Sequence, residues 1–187
     1  MQKIICLALL RGINVGGNNI IKMNKLKKLF DELNFADVKT YIQSGNVIFT
    51  VPENESKNDK IKTAGKIEQK LVEELNSEVK VAIYTFSEME KIINKRPVKY
   101  GGDDAHYRYN VLFFVEPVTA KQAVTEIEAR EGVDEIQEAN NVLYYTTLKE
   151  KITKTYLTKI IGTPVYKNIT VRNWNTTKKL YELMKES

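Results

Sequence analysis

Arg11 closes an apolar run and opens a glycine-rich turn in the stretch LLRGINVGG, residues 9–17. Its guanidinium carries five donors in a planar fork that matches a phosphate or a carboxylate. Gly12, Gly16 and Gly17 permit positive φ and let the backbone come close to a ligand. Successive amides in such a turn, with Asn14 among them, form a concavity that favours an anion. The stretch is neither a Walker A loop nor GxGxxG: no Gly-Lys-Ser/Thr follows, and the glycines do not lead straight into a helix.

Two further stretches carry polar and charged side chains at element ends. TYIQSGNVIF holds Tyr41, Gln43, Ser44 and Asn46, with Tyr41 and Gln43 on one face of a strand. TVRNWNTT holds Arg172, Asn173 and Trp174, with Asn175 or Thr176 as the expected cap of the helix that follows. Trp174 is the lone tryptophan and serves as core or as a stacking platform. A strand end entering a helix start is a sensible place for an anion. These residues, with Arg11, Gly12, Asn14, Gly16 and Gly17, make up the candidate ligand-binding set.

Nucleophilic catalysis has no visible machinery. The lone histidine, His106, lies in a linker and the lone cysteine, Cys6, in a strand, so no Ser-His-Asp or Cys-His pair is available. No DxD or HExxH occurs, a His-rich metal site is excluded, and no residue is assigned to a metal or a cofactor. A single cysteine also excludes a disulfide framework and fits a cytoplasmic protein. No apolar stretch reaches 18 residues, so no membrane span is expected. The apolar part of MQKIICLALLRG is too short and strand-like for a signal peptide.

These residues must be positioned by elements, and 187 residues suffice for one large domain or two small ones. KIICLALL reads as a strand, and MNKLKKLFDEL as a helix through Leu26, Leu29, Phe30 and Leu33. VKTYIQ and NVIFTV form a hairpin turning at Ser44-Gly45-Asn46. A helix over about 60–76 places Ile61, Ala64, Ile67, Leu71 and Leu75 on one side, and VKVAIYTF is a fourth strand. SEMEKIINKR reads as a bridging helix with a Ser87–Glu90 capping box. The second half repeats the order. YNVLFFVE is a strand, and TAKQAVTEIEARE a helix with a Thr119–Gln122 capping box. DEIQEANNVLYYTT is a hairpin one residue longer at its turn, and a Thr147–Glu150 box opens a helix ending at Gly162. ITVRNW and a terminal helix finish the chain.

The likeness of YIQSGNVIFT to EIQEANNVLYYT supports an internal duplication. The expected fold is α+β: two ferredoxin-like (α-β plait, split βαββαβ) halves packed together, residues 1–86 and 87–187, the second with a bridging and a terminal helix. KIICLALL and VLFFV are apolar on both alternating sets, so both sheet faces need cover, from the other half, a helix or a second copy in a homodimer.

Taken together, LLRGINVGG, TYIQSGNVIF and ITVRNWNTTKKL resemble the bacterial family called domain of unknown function 1697. Met23, Leu26 and Phe35 fall where that family's first helix and following turn carry apolar residues, and the resemblance runs over about residues 4–184. It implies two α-β plait halves and implies no activity.

Net charge is +5, unevenly spread: residues 1–50 hold 7 basic and 3 acidic side chains, 151–187 hold 8 and 2, and 101–150 hold 4 and 10. Basic ends favour an anionic or phosphorylated small molecule bound at the glycine loop. An RNA-binding module is the first alternative, although the first-half strands lack platform aromatics. An enzyme acting on a phosphate-containing substrate and a structural, interface-forming protein are the others. The antiparallel order expected of the first half sets Arg11 beside the Ser44–Asn46 turn.

Overall fold

The structure is a computed structural model and describes residues 3–52 and 59–187. It is a mixed α+β fold with two four-stranded antiparallel sheets. The chain divides into two compact units, Met1–Met89 with Leu180–Ser187, and Glu90–Lys179.

In the first unit the order is β1 (Lys3–Leu10), α1 (Met23–Glu32), β2 (Ala36–Tyr41), β3 (Asn46–Pro52), α2 (Lys60–Leu75) and β4 (Val81–Thr85). The sheet runs β2-β3-β1-β4 with every neighbour antiparallel. Alternation sends Cys6, Ala8 and Leu10 into one core with Val47, Phe49, Leu26, Phe30, Ile67 and Leu71. Leu7, Leu9, Ile48 and Ala82, on the opposite face, are buried as well. Both faces of the central strands are therefore dry, as the double-sided apolar pattern requires. α1 buries Leu26, Leu29 and Phe30, each worth about 1.5–3 kcal/mol. A ten-residue helix with no side-chain cap is marginal alone, so this packing is what holds it. α2 buries Ala64, Ile67 and Leu71, while Ile61 in its first turn is exposed.

α3 (Phe86–Asn94) starts at a capping box of Thr85 with Glu88, not Ser87 with Glu90. Glu88 Oε2 accepts from the Thr85 amide at 2.7 Å, and Oε1 meets Lys60 Nζ at 2.7 Å. The helix starts early because this carboxylate serves both the cap and the lysine.

The second unit contains β5 (Tyr107–Phe114), α4 (Ala120–Ala123), β6 (Asp134–Ala139), β7 (Val142–Leu148), β8 (Ile169–Asn173) and the start of α5 (Trp174–Lys185). Its sheet order, β6-β7-β5-β8, repeats that of the first. The Thr119–Gln122 capping box forms, but its α-helix lasts one turn and continues as 3-10 helix over Val124–Glu126. Val124, Thr125 and Ile127 are β-branched and disfavour extension. The helix expected up to Gly162 is instead two 3-10 segments, Lys149–Lys154 and Leu157–Gly162, and a third, Pro164–Asn168, follows before β8. Buried Asp134 is the reason: Thr147 Oγ1 donates to its Oδ1 at 3.0 Å rather than capping a helix. Thr155 Oγ1 and the Tyr156 amide bond the same carboxylate at 2.6 and 2.8 Å, and Thr155 is extended.

The hairpin turns also reverse the expected lengths. Asn140 and Asn141, both at positive φ, make a two-residue turn, whereas Tyr41 pairs Asn46 across the four-residue loop 42–45.

Candidate functional site

The segment after β1 is stapled rather than slack. Arg11, half-buried, donates its amide to Lys80 O at 2.9 Å and so prolongs the β1–β4 pairing. Val15 and Asn18 bridge across Gly16 and Gly17, at φ +58 and +79. These two glycines satisfy a turn in which both central residues are left-handed. Asn14, at φ +54, locks the base: Oδ1 accepts from the Ile21 amide at 2.9 Å, and Nδ2 donates to Ile21 O and Gln43 O at 3.0 and 2.8 Å. Asn19 Nδ2 adds a bond to Gly12 O at 3.2 Å.

The loop is seated on the β2–β3 turn, where the antiparallel order places it. The Leu10 amide donates to Gly45 O at 2.8 Å. Gly45 is at φ +73, and a Cβ there would come within 2.7 Å of Ile13 Cγ1 and 2.8 Å of Leu10 Cβ. Glycine is required at this position twice over, for its φ and for its contact. Asn46 is buried, and its Nδ2 donates to Tyr41 O at 2.9 Å and to Ser44 Oγ at 3.0 Å. Tyr41 and Ser44 are half-buried, and Gln43 is exposed. Residues 11–17 and 41–46 thus form one neighbourhood, in which Asn14 and Asn46 spend their side chains on holding the two loops.

Beside it opens a cleft of about 440 Å³ lined by Ile20, Ile21, Lys22, Met23, Asn24 and Gln43. It lies at the start of α1, where Lys22 supplies no side-chain cap and the first turn holds no acidic residue. The positive end of the helix dipole therefore meets no carboxylate from its own first turn, and Glu74 reaches that turn only through its ion pair with Lys25 at 3.0 Å. Of these residues only Gln43 was in the sequence-derived set. The missed signal is the run IIKMNK, a helix start without Ser, Thr or Asp at the cap.

Arg172, Asn173 and Trp174 belong to the second unit. Asn173 caps α5, its Oδ1 accepting from the Thr176 amide at 2.7 Å, so the expected Asn175 or Thr176 cap is displaced upstream. Trp174 is buried, edge-on to Tyr100 with centroids 5.3 Å apart, and a Cβ on Gly101 would lie 2.3 Å from its Nε1. Arg172 is also buried; its Nη1 donates to Thr170 Oγ1 at 2.8 Å and Val171 O at 2.9 Å, and burial lowers its pKa to about 10. Among the described residues, no group of three or more His, Cys, Asp or Glu is placed to hold a metal ion. No helix among them is long and apolar enough to cross a membrane.

A family model described as "Protein of unknown function (DUF1697)" matches residues 1–144. The chain belongs to the DUF1697 family. The match takes in the glycine loop and the first hairpin, and stops short of the Arg172–Trp174 motif. Among solved structures, the conserved bacterial protein SP0830 from Streptococcus pneumoniae is similar, with a TM-score of 0.80 and 24% identity. The alignment covers 98% of this chain and 99% of that one, and at this identity the likeness speaks for fold alone. No curated protein matches this DUF1697 chain.

Proposed function

We propose that this DUF1697 protein binds an anionic, phosphorylated small molecule in the cleft that Gln43 and residues 20–24 form at the start of α1, next to the glycine loop. The carrying observation is the 440 Å³ cleft at a helix start with no side-chain cap, no first-turn acid and Lys22 in its wall. Helix N-termini attract anions through their amides and dipole, and Arg11 and the basic N-terminal segment add to that field. The strand order supports reading each unit as a ferredoxin-like split βαββαβ plait, which sets this loop beside the hairpin turn. A cytoplasmic setting goes with a free, buried thiol at Cys6. RNA on the first sheet is disfavoured, since Leu7, Leu9 and Ile48 leave no open platform on its central strands.

Thermal unfolding with inorganic phosphate and with a phosphorylated sugar tests this reading. At a hundredfold excess over Kd, binding adds about 2.7 kcal/mol, roughly 5–11 °C in Tm for a chain of this size. Arg11→Ala and Lys22→Ala should each reduce the rise. No rise in the native protein, or a rise unchanged in both variants, refutes it.

One observation favours a second reading, in which the loops form an interface. Val15, Ile20 and Ile42 are 61%, 70% and 49% exposed, and all three lie on these loops. Light scattering distinguishes the two: a dimer lost in Ile20→Asp with Ile42→Asp selects the interface.

A further inference from the structure

A second cleft, of about 420 Å³, lies wholly within the second unit and has a different chemistry. Its lining is Val98, Lys99, Tyr100, Tyr107, Tyr109, Glu135, Gln137 and Thr146. Register defines the floor. Tyr109 pairs Thr146, and Thr146 pairs Glu135, so the three side chains lie in one cross-strand row from β5 to the edge strand β6. Gln137 stands two residues along β6 on the same face, and Tyr107 two residues along β5. Residues 98–100 form the wall.

Two of the rings are fixed by their own hydroxyls. Tyr100 Oη donates to Asn110 O at 2.7 Å, and Tyr109 Oη accepts from the Asp103 amide at 3.2 Å. Tyr100 meets Tyr109 edge-on at 5.0 Å, and Tyr107 lies 6.2 Å from Tyr109. Aromatic faces carry negative charge density and attract cations, most strongly where water is partly excluded. Glu135 is in no ion pair among the described residues, and it supplies a carboxylate in the same row. Burial first, then the Asp103 and Asp104 carboxylates, hold the Tyr109 phenol above its ordinary value and keep the ring neutral, against the pull of the Asp103 amide.

We propose that this cleft binds a small organic cation, an alkylammonium or alkylguanidinium, whose head lies against the Tyr107 and Tyr109 rings and pairs with Glu135. Thr146 Oγ1 and the Gln137 amide oxygen accept the remaining N–H groups. The volume suits a small ligand and falls in the ordinary range for such sites. Lys99, the one cation in the lining, stands at the wall and opposes the guest.

Titration of the full chain with butylammonium and with butylguanidinium, read by backbone amide chemical shifts, tests the proposal. Butylurea and butyrate serve as neutral and anionic probes of the same size. The expected result is a saturable shift over residues 98–109 and 135–146 with both cations only. Glu135→Gln, an exposed substitution that leaves the fold intact, should weaken binding about fivefold or more. Tyr107→Leu should weaken it similarly, and Lys99→Ala should leave it equal or tighter. No saturable shift, butylurea or butyrate binding as well as the cations, unchanged affinity in Glu135→Gln, or loss in Lys99→Ala overturns the assignment.

Discussion

Asn14, Gly45 and Asp134 show how single side chains fix loops that a sequence reader assigns to ligands or helices. Asn14→Ala removes three hydrogen bonds at the base of the 11–20 segment. It should lower stability by about 1–3 kcal/mol and open the segment to limited proteolysis. Gly45→Ala meets both an unfavourable φ and the side chains of Ile13 and Leu10. Chemical denaturation should show a loss of about 2–4 kcal/mol, more than for Gly12→Ala, whose added carbon meets no atom within 4 Å. For Asp134, burial alone would raise the pKa. Hydrogen bonds from Thr155, Tyr156, Thr147 and Arg130 outweigh that and hold the carboxyl below its ordinary value. Its stabilising contribution is thus present above the ordinary carboxylate value and disappears as pH falls through the lower, folded one. Asp134→Asn should destabilise the protein at pH 7 by about 1–3 kcal/mol and flatten this part of the acid limb in denaturant titrations from pH 6 to pH 2. Burial above all, with the Glu88 carboxylate adding and Lys60 opposing, pushes the Cys6 thiol up to about 12. An aromatic disulfide reagent at pH 8 should leave the native thiol untouched and react only at the rate of opening.

At the scale of elements, the two hairpins share a device that crosses their different turns. Thr50 Oγ1 donates to Asp37 Oδ2, and Thr147 Oγ1 to Asp134 Oδ1, each at 3.0 Å and each across 13 residues of chain. In the first unit the aspartate is exposed and meets Lys3; in the second it is buried and gathers the 3-10 segments. The hairpin signature thus reads correctly for the strands, whereas the Thr147–Glu150 box does not open an α-helix after β7, because Thr147 is bonded to Asp134. Helix starts were legible only to within a residue or two. Thr85 and Asn173 cap α3 and α5, where Ser87 and Asn175 or Thr176 had equal side-chain claims. Asn173→Ala should cost about 1 kcal/mol of stability, measurable in urea, while Asn175→Ala should be near neutral.

At the scale of the molecule, the first unit is discontinuous and takes in the last eight residues, Leu180–Ser187. Leu180 and Met184 are fully buried, Tyr181 stacks on Phe86 at 5.5 Å, and Lys39 Nζ donates to Ser187 Oγ at 3.0 Å. Ending the chain at Lys179 should therefore destabilise the first unit by more than about 3 kcal/mol. Hydrogen exchange would read this as lost protection in β1 and β3, with β5 and β7 less affected.

The sequence by itself determined the strands, their order and the two-sided burial of KIICLALL, because side-chain alternation and apolar period are local properties written along the chain. It also determined that the 11–17 loop meets the 41–46 turn, since antiparallel pairing of β1 with β3 leaves no other place for them. Only the tertiary structure decided what individual polar side chains do. Asn14 is a staple and Trp174 is buried because Gln43 and Tyr100, which claim them, lie outside their own short motifs, while Asn46 and Asn173 are spent on backbone groups within theirs. The cleft at the start of α1 and the tyrosine-lined cleft of the second unit were equally hidden. The first needs Gln43 brought to the run 20–24, the second joins residues 98–109 to 135–146, and a cavity exists only where packing fails to fill space.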